Sequence, residues 1–275
     1  MKIATILMLC LALAAFATAK TGGTGTANPW SGNGTYTVED TMVGGLVASY
    51  GLAIKDNATE SIWILNYSDM ADYEFSMASG SPGGSWAISG GVDPDDQAYC
   101  EYSTGNQWFM TDYAASFFAV FEEDGSFIHN IDGPAGYTNL FGIGAGHDMM
   151  YVGSPNESTL AWGSYTGTES SITWSEMPYE SAYGLAVYGD YLFVACGLEG
   201  VDNIFIHSIA SDGTPSAAPV WSCVFVESAE VNGGIDWDGT YLWVYPQNDF
   251  LYKLSIDWTP GALDQSTWGE IKTSF

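Results

Sequence analysis

The sequence predicts an all-β fold, a β-propeller most simply built of five four-stranded blades, and three observations carry that prediction. Three segments superimpose without a gap: residues 141–152 (FGIGAGHDMMYV), 183–194 (YGLAVYGDYLFV) and 233–244 (GGIDWDGTYLWV). In each, a glycine opens a short strand, a turn follows, and a second strand rich in aromatic and β-branched residues ends on valine. Two looser copies, residues 50–65 and 98–109, bring the units to five, and they recur about every 40 to 50 residues, the period of propeller blades. The repeated segments alternate apolar and polar residues between Gly, Asp, Asn and Ser, with no long stretch at helical spacing, which excludes a helical solenoid.

The elements of each unit follow in order. The opening position holds Gly51, Gly142, Gly184 and Gly234, with Tyr99 in its place in the second unit. Third strands are predicted at residues 72–77, 117–122, 160–165, 204–209 and 251–257; four of them run into turns such as Asp124-Gly125 and Asp212-Gly213, a short-range hairpin signal. Fourth, outer strands are predicted at residues 85–89, 128–131, 171–175 and 220–226. The fifth unit has no fourth strand of its own. Residues 34–40 (GTYTVED), ahead of the first unit, can supply it, closing the ring by pairing the two ends of the chain and leaving no open strand edge.

Outside the propeller, taken as a single domain over residues 34–260, the chain divides into three segments. Residues 1–19 read as a secretory signal peptide, with a lysine, an apolar run and Ala17-Thr18-Ala19 as a small-residue cleavage site. The expected address is therefore secreted, extracellular or at the cell surface, without membrane insertion. Residues 20–33 form a Gly- and Thr-rich flexible leader, and residues 261–275 a C-terminal tail.

After the signal, Lys20, Lys55, Lys253 and Lys272 face 33 acids with no arginine, a net charge of −29. Such a chain is repelled by phosphate backbones and anionic lipid, so nucleic acid is excluded as a partner, and divalent cations and basic surfaces are favoured. Cys100, Cys196 and Cys223 show no CxxC spacing and read as small buried residues rather than a thiolate metal site.

Chemical signatures are few. His129, His147 and His207 fall in different units and read as surface or turn residues; no HExxH, P-loop or Gly-x-Ser-x-Gly elbow occurs. Two positions after the opening residue the units carry Ala53, Glu101, Gly144, Ala186 and Asp236. Glu101 and Asp236 would then line equivalent sites around the channel, where paired carboxylates can act as acid and base on a glycoside. A second cluster is expected where the chain enters the first strands: Asp95, Asp96, Asn139, Glu180 and Glu230, with Tyr179 and Tyr183 beside them. Asp95, Asp96, Glu180 and Glu230 are candidate ligands for Ca²⁺, and the same mouth could hold a sugar through carboxylates and aromatic faces. Trp63, Trp108, Trp243 and Phe193 fall on second strands and pack between blades, whereas Trp30, Trp237 and Trp268 lie in turns or termini and are candidates for stacking on a ligand.

The blade pattern resembles secreted bacterial propellers of the NHL and YVTN-like kind, through Trp237-Asp238-Gly239-Thr240-Tyr241-Leu242-Trp243-Val244 and Tyr188-Gly189-Asp190-Tyr191-Leu192-Phe193-Val194. Thr267-Trp268-Gly269-Glu270-Ile271-Lys272 resembles the junction that precedes a C-terminal sorting module in many secreted bacterial proteins. These resemblances imply the fold and leave the function to the site. The expectation is a non-catalytic binding propeller that takes carbohydrate or a divalent cation at the channel mouth, or engages an extracellular protein. The alternatives are a structural protein that self-associates by strand donation, and a glycoside hydrolase or polysaccharide lyase acting through Glu101 and Asp236.

Overall fold

The protein is seen here as a computed structural model that describes residues 34–42, 50–55, 61–197, 203–228, 232–247 and 249–259, together with the backbone of residues 20–21 and 49. Among these residues the chain forms five antiparallel sheets and no helix. A two-residue strand, β1 (Lys20–Thr21), precedes β2 (Thr35–Met42). Blade 1 is β3 (Ser49–Lys55), β4 (Ser61–Asn66), β5 (Ala71–Ser76) and β6 (Pro82–Ala87). Blade 2 is β7 (Pro94–Tyr102), β8 (Gly105–Asp112), β9 (Phe117–Glu122) and β10 (Phe127–Asp132). Blade 3 is β11 (Ile143–Gly146), β12 (Met149–Ser154), β13 (Thr159–Ser164) and β14 (Ser175–Pro178). Blade 4 is β15 (Ala182–Tyr188), β16 (Tyr191–Cys196), β17 (Ile204–Ser208) and β18 (Trp221–Cys223). Blade 5 begins with β19 (Gly234–Trp237), β20 (Leu242–Tyr245) and β21 (Leu251–Ile256).

Within each blade, consecutive strands pair outward from the axis, and the innermost strands β3, β7, β11, β15 and β19 each pack on the next, the last returning to the first. The ring therefore closes as the sequence predicts. Residues 35–42 pair with β21 to complete blade 5, in the order β1-β2-β21-β20-β19. Lys20–Thr21 adds one more short strand against Thr35 and Tyr36, so the leader begins paired; residues 22–33 lie outside the described residues. Three outer strands differ in extent from the sequence reading: β6 begins at Pro82, β14 occupies Ser175–Pro178 rather than 171–175, and β18 is only Trp221–Cys223. Outer strands are solvated on one face, and their apolar pattern is correspondingly weak.

Packing between blades explains the repeat. Trp63, Trp108, Tyr151, Phe193 and Trp243 occupy one equivalent position on the second strands, all buried, each opposite an inner-strand residue: Ala53, Tyr99, Gly144, Ala186 and Asp236 respectively. A large second-strand side chain fills the wedge between blades, and Trp63 and Trp108 meet edge to face at 5.3 Å. The opening glycines answer to a different constraint. A Cβ at Gly184 would stand 2.2 Å from the Gly233 carbonyl oxygen, and one at Gly234 would stand 2.2 Å from the Leu52 nitrogen. Inner strands crowd around the axis so closely that backbone faces backbone there.

This register corrects the alignment of blade 2. Ala98 pairs with Phe109, whereas Ile143 pairs with Val152, so the inner hairpin of blade 2 is two residues longer. Gln97, not Tyr99, takes the glycine's place, and Tyr99, not Glu101, stands level with Asp236. Gln97 fits because its side chain leaves the axis and reaches into blade 1, where Nε2 donates to the Trp63 carbonyl at 2.9 Å and to Asp72 Oδ1 at 3.1 Å.

Asp72 is fully buried, and its Oδ2 and the Gln97 Oε1 have no hydrogen-bond partner among the described residues. Burial holds its carboxyl well above the usual carboxylate range, and a protonated Oδ2 would offer the hydrogen that Gln97 Oε1 lacks. The folded state then keeps a proton that the unfolded chain releases above about pH 4. Because the folded pKa is the higher one, this contribution is complete in acid and is lost as pH rises. Stability measured by urea denaturation is expected to fall from about pH 4 toward neutrality. Asp72→Asn, which supplies a permanent donor, should flatten that slope and raise stability at pH 7 by about 1–3 kcal/mol, the cost of an unpaired buried group.

Candidate functional site

The innermost strand of every blade turns one edge toward the axis, and its N–H and C=O groups there lack a strand partner, so something else must satisfy them. Two carboxylates do so. Asp96 on β7 places Oδ2 within 3.0 Å of the Ile143 N–H and 3.2 Å of the Leu185 N–H, bridging from blade 2 to blades 3 and 4. Asp236 on β19 accepts the Ile54 N–H at 2.7 Å through Oδ2 and the Trp237 N–H at 2.7 Å through Oδ1, bridging blade 5 to blade 1. Asp96 thus joins the inner strands of blades 2, 3 and 4, and Asp236 those of blades 5 and 1.

These acids lie at different levels of the channel, because the inner strands run side by side in one direction. From Asp96 to Glu101 the strand advances five residues, roughly 17 Å at strand spacing. The two candidate clusters of the sequence reading therefore belong to opposite ends.

At the end where the inner strands finish in hairpins, all five contribute to one pocket of about 580 Å³. Its acids are Glu101, Asp236 and Asp238; its aromatic groups are Tyr99, Tyr188, Trp237 and Tyr241; its cations are Lys55 and Lys253. Local chemistry sets each of these. Asp238 accepts the Thr240 and Tyr241 N–H groups through Oδ1 at 2.7 and 2.6 Å and the Trp243 Nε1–H through Oδ2 at 2.8 Å, which fixes the turn that carries Tyr241. Gly239 at φ +91° completes that turn, and a Cβ there would meet the Tyr188 hydroxyl at 2.9 Å. Lys253 Nζ sits 4.0 Å from the Tyr241 ring centroid and 5.2 Å from that of Trp243. Lys55 pairs with Glu123 at 2.6 Å beside the Tyr99 ring, and this pairing holds the Glu123 carboxyl below its ordinary value. A second cleft of about 500 Å³ shares Cys100 and Glu101 with this pocket and adds His147, Asp148 and Asp212; His147 Nδ1 lies 3.2 Å from Asp190 Oδ1.

The end where the inner strands start is built differently. A bulge there sets Asp95 and Asp96 together opposite Thr111, and similar register shifts occur at the start of β3 and β15. Burial pushes the Asp95 carboxyl up to about 8, and burial likewise holds that of Asp96, whose Oδ1 is unpartnered among the described residues, well above the usual carboxylate range. Tyr183 meets Phe141 edge to face at 5.3 Å beside them. Asn139 bonds Asn156, and Glu180 is exposed. Glu230, Trp30 and Trp268 lie outside the described residues.

Several sequence expectations change. Tyr179 is not an open mouth residue: it is buried, its hydroxyl 2.9 Å from His207 Nε2. His207 is likewise buried on β17, its Nδ1 2.8 Å from the Ser216 carbonyl, and burial lowers its pKa to about 4. Its neighbours Ile204 and Ile206 marked an alternating strand, and the polar partners lie too far along the chain to be read from it. Trp237 ends a strand rather than lying in a turn; it is 5 % exposed and stacked on Phe193 at 5.7 Å, which leaves Tyr241 and Tyr188 as the pocket's more accessible rings. Glu101 and Asp236 are not equivalent positions, yet they line the same pocket. Among the described residues no three His, Cys, Asp or Glu side chains converge as a metal set, and no disulfide joins Cys100, Cys196 and Cys223. The residues that sequence reasoning missed are Lys55, Lys253, Tyr99 and Tyr241. Their signal was the rarity of lysine: two of the four beyond residue 19 meet here.

No known protein family and no curated protein matches the chain. Among solved structures, the glutaminyl cyclase of Myxococcus xanthus is similar at 9% identity, with 81% of this chain and 96% of that one covered and a TM-score of 0.59. A catalytically inactive virginiamycin B lyase from Staphylococcus aureus with quinupristin shows 17% identity over 86% of this chain and 79% of that one, at a TM-score of 0.46. The PQQ-bound aldose sugar dehydrogenase of Streptomyces coelicolor shows 10% identity over 82% and 99%, at 0.49. The likeness to the glutaminyl cyclase is one of fold.

Proposed function

We propose that the protein is a secreted binding propeller that takes a carbohydrate in the pocket at the hairpin end of its channel. One observation carries the reading: a single pocket of about 580 Å³ collects aromatic rings, carboxylates and two lysines from all five blades. Such a pocket is the size of a small-molecule site, and ring faces with fixed carboxylates suit a ligand whose faces are apolar and whose edges are hydroxyls. Glu101, Asp236 and Asp238 outnumber Lys55 and Lys253 in the pocket, and Lys55 is paired with Glu123, so a neutral sugar is the favoured form. The site is moved from the strand-start mouth, where the sequence had placed it, to the opposite end.

A catalytic reading has one observation in its favour, the presence of Glu101 and Asp236 in the same pocket. Both Asp236 oxygens accept backbone N–H groups, which assigns that side chain to holding blades together. Turnover of a glycan by the native chain, lost in Glu101→Gln, would establish it.

A glycan array that includes uronic acids tests the binding reading. Tyr241→Ala and Lys253→Met are each expected to weaken the retained glycan at least tenfold. Full retention by both variants, or an array with no bound glycan, would remove the proposal.

A further inference from the structure

The pocket at the hairpin end does not stop at the axis. The second cleft, of about 500 Å³, adjoins it at two places: Cys100 and Glu101 line both, and Gly146 of the pocket is followed by His147 of the cleft. From there the cleft runs outward over blade 3, past Met149 on β12 and Ser164 on β13, to the turn of blade 4 at residues 211–213. Its walls are held by the fold. His147 and Asp148, at φ of +57° and +55°, form the two-residue turn that joins β11 to β12, the left-handed pair that a tight hairpin requires. The far wall is fastened to blade 3 and to itself: the Tyr151 hydroxyl donates to the Gly213 carbonyl at 2.8 Å, and the Thr214 N–H donates to Asp212 Oδ1 at 3.0 Å.

We propose, resting on the carbohydrate reading of the axial pocket, that the ligand is an oligosaccharide, with one end in the pocket and the following units in the cleft across blade 3. About 580 Å³ already suffices for a small molecule, so a second preformed space of comparable size at its edge suits a ligand that continues. Because the walls are fixed beforehand, each added unit gains contacts without the cost of ordering the protein. The charge of the cleft selects among chains. Among the described residues its lining includes Glu101, Asp148 and Asp212 and no lysine, so units bearing carboxylates are repelled and neutral units are accepted.

Neutral gluco-, manno- and galacto-oligosaccharides of one to six units, titrated calorimetrically into the full chain, test the proposal. In the series that binds, affinity is expected to rise at least tenfold from one unit to three or more and then to level off as the cleft fills. Ser211→Trp and Ser164→Trp each place a ring in the cleft from an exposed position that does not line the pocket. Both should remove the gain with length and leave the affinity for a single unit unchanged. Equal affinity for short and long chains, or a gain that survives in both folded variants, would overturn the proposal and leave the axial pocket as the whole site. No heat with any of these sugars at any length would remove the carbohydrate reading itself, and this proposal with it.

Discussion

Removing residues 1–42 is expected to abolish the cooperative unfolding transition of the propeller. Strand β2 completes blade 5 across the two ends of the chain, pairing with β21 from Tyr36↔Ile256 to Met42↔Leu251. Its loss would expose the outer edge of β21 and uncover the core around Trp221, Phe225 and Tyr252, against which Tyr36 packs at 3 % exposure. The hydrogen bonds lost include those from the Val226 N–H to the Tyr36 hydroxyl and between Thr35 and Asp257. A blade left open removes packing on both sides, so the cost should exceed about 5 kcal/mol, the scale of a whole domain's stability. Circular dichroism melting and light scattering of the truncated chain check this. A folded monomer with an unchanged melting temperature would show that the ring does not depend on the N-terminal strand. A folded dimer would show the edge closed by a second copy, the route by which strand donation would build an assembly.

A second large effect is expected at the axis. Gly184→Ala and Gly234→Ala each drive a methyl group into backbone of the neighbouring blade, the Gly233 carbonyl in one case and Leu52 in the other. Neither position has a left-handed backbone, so the penalty is steric alone. Because the obstructing atoms belong to main chain shared by two blades, relief requires the blades to part. We expect at least about 3 kcal/mol of destabilisation in each variant, at the upper end of overpacking costs. For a chain of this size that corresponds to a melting temperature lower by roughly 6–12 °C. Gly189→Ala provides the contrast, since a Cβ there meets nothing within 4 Å, although its φ of +54° imposes a modest cost of its own. Equal losses at all three positions would show that crowding at the axis is not what the opening glycines serve.

The blade count, the inner hairpins and the N-terminal closure were legible in the sequence because each is a local pattern: a glycine, a turn and a second strand at fixed spacing. Blade 2 misled the alignment for a physical reason. Its hairpin is two residues longer and Gln97 stands where the other blades carry glycine, so matching by chain position put Glu101 level with Asp236, where pairing puts Tyr99. The site was legible only in part. Carboxylates on inner strands were visible, but which of them face backbone amides and which face open space depends on neighbours several blades away in the chain. Asp96 looked like a metal ligand and spends one oxygen on Ile143 and Leu185; Tyr179 looked like a mouth residue and is buried against His207. Lys55 and Lys253 are 198 residues apart, and no sequence pattern announces that they share a pocket.

The central claim is that the ligand occupies the hairpin end of the channel, and a paired calorimetric titration tests it most directly. A glycan retained on the array is titrated into the native chain, into Tyr241→Ala and Lys253→Met at the hairpin end, and into Phe141→Leu at the strand-start mouth. The account predicts at least a tenfold loss of affinity in the first two variants and native affinity in the third. Loss in Phe141→Leu with full binding in Tyr241→Ala and Lys253→Met would place the carbohydrate at the opposite mouth and contradict it.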